Sequence, residues 1–253
     1  MIEILILSII QGVTEFLPIS SSSHLIIVSN YFNFEAQKLN IDVGLHIGSF
    51  LAIVFFFKKE ILNFYKNKDL FLKIFLASIP VMLVGYLLVK FDIIYQLRNI
   101  KVIGWTTLVF GILLYLSDKR EMKKQYDKDL NYKTALLIGL SQILSLIPGV
   151  SRSGITITSA RFLNYKRLDA AKISFLLSIP SLAAVTIYGL NELFNSENLA
   201  FSILMLYSIL FSFIFSLTTI IYFLKFIKKF NLNIFVFYRV IVGVVLLILA
   251  YLQ

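Results

Sequence analysis

The sequence predicts an all-α polytopic membrane protein with six transmembrane helices and two oppositely oriented re-entrant helical hairpins, arranged as an inverted-topology repeat. Three observations carry this prediction. The 253 residues are 58% hydrophobic and 15% charged, with a mean hydropathy of +0.85, well short of the roughly one quarter charged residues of a water-soluble domain. Apolar runs long enough to approach a bilayer's thickness recur along the chain, and two further apolar regions are broken by proline and polar residues. The basic residues behind the net charge of +10 sit in short links between those runs, a placement that fits anionic lipid headgroups and not nucleic acid. One membrane domain over 1–253 is expected. With no cysteine, disulfides and thiolate metal sites are excluded. A secretory signal is not expected, because Glu3 stands where a basic segment belongs and Gln11 interrupts the apolar run.

Taken in order, residues 1–28 are broken by Gln11, Glu15, Pro18 and the serines Ser20, Ser21, Ser22 and Ser23. Backbone released from a helix cannot face lipid, so this segment reads as helix–break–helix, entering and leaving on one side. Candidate spans follow at roughly 43–57, 70–89 and 102–117. Several are shorter than the ~20 residues of a full crossing, so their ends must borrow polar neighbours. Residues 134–160 form the second broken segment, interrupted by Gln142, Pro148, Gly149, Arg152 and Gly154, and candidate spans at 173–190, 199–223 and 235–252 complete the chain.

The charges test this topology. Lysines and arginines number five in 58–73, six in 118–133, four in 161–172 and three in 224–234, against three in 90–101 and none in 191–198. If both broken segments re-enter, the first four of these links share one side and the last two the other, and the positive-inside rule makes the richer side cytoplasmic. The first hairpin then opens outward and the second inward. The halves also resemble each other: ILILSIIQGVTEFLPISSSS matches TALLIGLSQILSLIPGVSRS, pairing Pro18 with Pro148, and IFLASIPVML matches FLLSIPSLAA, pairing Pro80 with Pro180. Opposite openings for similar hairpins are the mark of an inverted repeat, in which broken helices meet near the midplane and build a polar pocket.

Gln11 and Glu15 are four residues apart and share a helix face, placed to hold one ion or water. Glu15 among apolar neighbours reads as functional, or as simply wet if it lies at the boundary. The serine run reads as a cap whose open amides favour an anion, or as a flexible turn. His24 reads as base, nucleophile or acid, or as structural. In PGVSRSG, Gly149 and Gly154 permit turn geometries closed to other residues. Ser151 and Ser153 add hydroxyls, and Arg152 supplies a forked cation matched to phosphate. This is an anion site without the spacing or lysine of a nucleotide-binding loop. Asp42 and His46 repeat the four-residue spacing and read as a second layer flanking the pocket, or Asp42 as a helix cap and His46 as packing.

QGVTEFLPISSSSH together with PGVSRSG resembles the bacterial undecaprenyl-diphosphate phosphatases, also called bacitracin-resistance proteins, nearly end to end. The resemblance implies a metal-dependent hydrolase of the bacterial cytoplasmic membrane, with its active site open to the outer face. It would convert undecaprenyl diphosphate to undecaprenyl phosphate and inorganic phosphate, recycling the lipid carrier of cell-wall synthesis. It places Gln11 and Glu15 in the family's acidic motif, its serine and histidine at Ser21 and His24, and its phosphate-binding arginine at Arg152. Ser23 departs from the family's usual glycine.

On this reading Glu15, with Gln11, holds Mg²⁺ or Ca²⁺ through oxygen. Ser21, Gly149, Ser151, Arg152, Ser153 and Gly154 bind phosphate. Three schemes remain open: Ser21 attacks with His24 as base, His24 attacks directly, or Glu15 activates water. Bacitracin would compete indirectly by binding the lipid substrate, and a homodimer is compatible with the family. The rival reading is a lipid-phosphate transporter or flippase built on the same pocket. Single cysteines at Asn67, Lys124 and Asn231 should resist an impermeant thiol reagent in intact cells, whereas ones at Asn33, which lies outside the residues described below, and Asn195 should label. Strong external labelling at 124 in an active variant would overturn the topology.

Overall fold

Pro18 cannot donate a backbone hydrogen bond, and regular helix stops ahead of it. The helix α1 (Ile2–Thr14) accordingly ends at Glu15, whose amide still bonds the Gln11 carbonyl at 3.0 Å. Ser20 then adopts φ +76°, the left-handed region that a non-glycine residue enters only when its surroundings hold it there, and α2 (Ser21–Phe32) begins at the next residue. The computed structural model describes residues 1–32, 39–63, 65–119, 122–195 and 203–252.

The chain continues through α3 (Leu39–Phe56), α4 (Lys58–Leu62), α5 (Lys68–Lys90), α6 (Ile93–Gln96), α7 (Ile100–Asp118) and α8 (Tyr126–Asp129). The second broken segment is α9 (Tyr132–Gln142), a tightened 3-10 turn over Ile143–Leu146, an irregular stretch, and α10 (Arg152–Phe162). Asn131 and Thr134 cap α9 reciprocally, each side chain accepting from the other's amide at 2.9 and 3.2 Å. The second break turns on Gly149 at φ +94° and Ser151 at φ +71°, and the Ser151 hydroxyl caps α10 by accepting from the Gly154 amide at 3.1 Å. Three long helices complete the fold, α11 (Arg167–Asn195), α12 (Ile203–Lys229) and α13 (Asn233–Leu252).

Among the described residues, six helices are long and apolar enough to cross a membrane: α3, α5, α7, α11, α12 and α13. They coincide with the six apolar runs and extend beyond most of them into polar flanks, as α11 does from Arg167 to Asn195. Long lysine and arginine side chains at helix ends can reach an interface while their backbone stays helical. The first residues of the run 199–223 lie outside those described.

Two details of the internal similarity change. Pro80 lies in α5, the second long helix after the first broken segment, whereas Pro180 lies in α11, the first after the second. That match therefore does not follow the order of elements. The hairpin register also moves by one residue. In both hairpins a left-handed serine, Ser20 or Ser151, falls nine residues after a fully buried glutamine, Gln11 or Gln142, which sets Pro18 opposite Gly149. The left-handed residue, not the proline, fixes where the second helix of each hairpin starts.

Packing repeats between the halves. α1 lies on α12 and α9 on α5, while α3 crosses α11 and α7 pairs with α13. Small residues allow the close approaches, as expected where lipid supplies no hydrophobic drive between helices. At Gly139 of α9 the backbone of Ala77 in α5 comes so near that any Cβ would collide with its carbonyl. Phe16, inside the first break, is fully buried and meets Phe175 edge-on at 5.4 Å, so the break is anchored in the apolar core beside its polar residues. Large apolar side chains such as Phe55, Leu83, Ile187, Phe237 and Ile241 remain exposed, as lipid contact requires.

The lysine-rich links converge. Lys73 donates to the Leu130 carbonyl at 2.8 Å and the Tyr132 hydroxyl to Asp69 at 2.8 Å. Buried Asp118, at the end of α7, accepts from Arg167 at 2.7 Å and from the Leu232 amide at 3.0 Å, and pairs with Arg161 at 3.2 Å. Both ends of the second broken segment touch this assembly, since Arg161 closes α10 and Thr134 in α9 bonds the Tyr165 hydroxyl at 3.1 Å. The start of α1 instead packs through Ile4 and Leu7 with Ile41, Leu45 and Tyr207, near the opposite end of α12.

Gly139→Ala should destabilise the fold by about 1–3 kcal/mol through overpacking. Gly85→Ala, whose nearest neighbour would be Leu146 Cδ2 at 3.4 Å, should be nearly neutral. Thermal unfolding in detergent compares the two, and equal midpoints would contradict the α5–α9 packing.

Candidate active site

The two breaks meet. Glu15 at the end of α1 pairs through Oε1 with Arg152 Nη2 at the start of α10, 2.6 Å apart, with both side chains largely buried. Its other oxygen, Oε2, accepts the Ser21 hydroxyl at 2.6 Å and the Gln11 amide at 3.2 Å. The Gln11 Nε2 also lies 3.4 Å from His46 Nδ1 and 3.4 Å from Ser49 Oγ in α3. Ser49 in turn contacts Ser212 and Ser216 of α12 at 3.2 and 3.0 Å. A polar track thus runs from the α3–α12 seam to the carboxylate and on to the guanidinium.

Two buried polar atoms in this cluster lack a partner among the described residues: Arg152 Nη1 and Gln11 Oε1. One is a cationic donor and the other a neutral oxygen acceptor, and they belong to residues on either side of Glu15. Buried polar atoms are ordinarily satisfied, so these two are suited to an anion and to a hard cation respectively.

The second motif is mostly architecture. Ser153 donates to the Leu17 carbonyl at 2.7 Å, tying α10 to the first break. Ser151 caps the Gly154 amide and lies 3.2 Å from Ser153 Oγ. The Gly149 carbonyl accepts from Arg239 at 2.9 Å. In PGVSRSG it is Arg152 that presents an open donor. Of the four serines, Ser21 reaches Glu15, Ser20 and Ser23 bond each other at 3.0 Å, and Ser22 is exposed. His24 is not paired with Ser21: its Nδ1 lies 2.6 Å from the Ser20 carbonyl and its Nε2 2.5 Å from the Tyr238 hydroxyl.

Comparison with known proteins matches residues 4–245 to the family described as "Bacitracin resistance protein BacA". The chain belongs to that family. Its relatives are similar along their whole lengths. A protein of Pelagibacter ubique (strain HTCC1062) named undecaprenyl-diphosphatase is 49% identical over 251 residues, covering 99% of this chain and 98% of its own. Undecaprenyl-diphosphatase 1 of Pseudoalteromonas translucida (strain TAC 125) is 39% identical, covering 98% and 97%. The undecaprenyl-diphosphatase of Saccharophagus degradans is 41% identical, covering 94% and 93%.

In this BacA-family chain the sequence-predicted residues Gln11, Glu15, Ser21, Arg152 and His46 form one connected cluster, with His24 in the same break. Asp42 lies one turn from His46 in the first turn of α3. Sequence reasoning passed over Arg239. It is fully buried in α13 and donates to four carbonyls: Pro18 at 3.1 Å, Val150 at 3.1 Å, Gly149 at 2.9 Å and Thr107 at 3.2 Å. It forms no ion pair with another described residue. The signal was present: a lone arginine inside the apolar run 235–252 is functional or structural by default. Thr106 adds a bond from its hydroxyl to the Pro148 carbonyl at 2.6 Å.

Arg239→Leu should destabilise the protein by about 3 kcal/mol or more, since buried carbonyls would lose charge-assisted bonds. It should also uncouple the breaks and abolish function. Unfolding in detergent checks this, and a wild-type midpoint would contradict the role.

Proposed function

We propose that this protein removes the terminal phosphate of undecaprenyl diphosphate, yielding undecaprenyl phosphate and inorganic phosphate and so renewing the lipid carrier of cell-wall polymers. Membership of the BacA family and the names of its relatives support the reaction. The observation that carries the chemistry is the Glu15 carboxylate, which holds a serine hydroxyl and an arginine from the other hairpin within 2.6 Å each. A hydroxyl donating to a carboxylate is an activated nucleophile, and a guanidinium beside it suits the charge on a transferring phosphoryl group.

In this proposal Arg152 receives the terminal phosphate through its open Nη1, and Glu15 keeps the cation paired until substrate arrives. Ser21 Oγ attacks the terminal phosphorus while Glu15 takes its proton. The Oγ–P bond forms and the bond from phosphorus to the bridging oxygen breaks, releasing undecaprenyl phosphate. Water then attacks the phosphoserine, the Oγ–P bond breaks, inorganic phosphate leaves and Glu15 returns the proton to Ser21.

The donor set also fits a divalent cation, because the unpartnered Gln11 Oε1 and the Glu15 carboxylate are hard oxygen ligands. Mg²⁺ or Ca²⁺ held there would supply Lewis-acid neutralisation of phosphate oxygens.

The convergence of the lysine-rich links at both ends of the second hairpin supports a re-entrant hairpin from the cytoplasmic side. Packing of the start of α1 near the other end of α12 supports a first hairpin opening outward. The exchange of partners between α1–α12 and α9–α5 supports an inverted repeat, with substrate entering from the outer leaflet.

R152A should lower phosphate release by about 10²- to 10³-fold, and R152K should recover little because a point charge lacks the fork. Rapid quench with substrate labelled on the terminal phosphate should trap label on Ser21. Label on His24, or near wild-type release by folded R152A, would overturn the scheme.

A further inference from the structure

We infer that Tyr238 is a positioning residue for His24, holding the imidazole as the base that takes a proton from the water of the second step; this rests on the phosphatase reading above. The argument begins at Ser20. Its left-handed φ of +76° turns its carbonyl toward the histidine ring, 2.6 Å from Nδ1. A carbonyl has no proton to give, so Nδ1 carries the hydrogen. Burial of the ring opposes a positive charge on it and outweighs the Ser20 carbonyl, which favours one; Arg239, adjacent to Tyr238 on α13 and without a carboxylate partner among the described residues, opposes it further. The imidazole is therefore neutral with its lone pair on Nε2, and the phenol of Tyr238, 2.5 Å away, donates into that lone pair. Both ring nitrogens are thus assigned by geometry, which fixes the tautomer as second-layer partners of catalytic histidines do.

The phenol and imidazole planes are also stacked, 12° apart with centroids 5.7 Å from each other. Tyr238 is 40% exposed, so its side chain is not locked in the core and its hydroxyl can give way to water. In the second step the water oxygen bonds phosphorus and the Ser21 Oγ–P bond breaks. The water proton passes to His24 Nε2, and the proton held by Glu15 returns to Ser21. The stack and the hydrogen bond are separable parts of the device, because phenylalanine at 238 keeps one and loses the other. Tyr238 lies far from both sequence motifs, and its neighbour Arg239 fixes the two breaks from the same turn of α13, so one helix sets both the frame and the base.

The chain has only two histidines, His24 and His46, so histidine-selective ¹⁵N spectra of the purified protein can be assigned with H24Q. In wild type, His24 should show a protonated Nδ1 and a hydrogen-bonded, unprotonated Nε2. In Y238F the Nε2 resonance should move toward that of a bare lone-pair nitrogen while Nδ1 stays in place. Turnover of undecaprenyl diphosphate by Y238F should fall about tenfold in kcat with KM nearly unchanged. Y238F should add no further loss in an H24Q background, whereas a merely structural tyrosine would add its full cost. An unmoved Nε2 resonance in folded Y238F, an undiminished kcat, or additive losses would each overturn the inference. Absence of phosphate release by wild type would remove the phosphatase reading and leave the Nε2 measurement standing on its own.

Discussion

A helix interrupted inside an apolar slab leaves carbonyls and amides that lipid cannot satisfy, and each bare group costs several kcal/mol. Two such interruptions face one another here, and a single guanidinium answers for both. Arg239 takes the Pro18 carbonyl of the first break and the Gly149 and Val150 carbonyls of the second. Without that bridge, neither turn has reason to hold its left-handed serine. The geometry of Glu15, Ser21 and Arg152 is therefore downstream of a residue that forms no hydrogen bond or ion pair with any of them.

The frame around this bridge is built for rigidity. Phe16 drives the first break into the aromatic core, and Ser153 ties α10 to Leu17. The serine track on α3 and α12 fixes Gln11 through Ser49. The acid and its cation come from different hairpins, and each is the counter-ion that makes burial of the other tolerable. In the proposed reaction, a site preorganised in this way would meet a phosphoryl group with donors already aimed.

Much of this was legible in the chain. Proline and serine interruptions in apolar runs marked both breaks, and PGVSRSG singled out Arg152, which the fold brings against Glu15. The clustering of lysines in four links foretold their assembly at one end, because a charge excluded from lipid has few places to go. What escaped the sequence escaped for physical reasons. The partners of Arg239 are backbone carbonyls, which leave no trace in residue type, and Tyr238 meets His24 across 214 positions. Of the three schemes left open by the sequence, the one that pairs Ser21 with His24 finds no hydrogen bond between them: Ser21 bonds Glu15, and a left-handed Ser20 leaves the histidine between the Ser20 carbonyl and α13. The apparent Pro80–Pro180 kinship was a likeness of composition between two helices with different places in the order of elements.

The 221-residue separation between Pro18 and the arginine that satisfies it bears on how the protein is made. A ribosome adding about 5–20 residues per second delivers Arg239 roughly ten to forty seconds after the first hairpin has emerged. For that interval the hairpin's turn has neither its cation nor its partner hairpin, so its exposed carbonyls must stay in water, at the interface or in the hydrated channel of the insertion machinery. Burial of this first break therefore waits on α13, which is made 221 residues later and brings the cation.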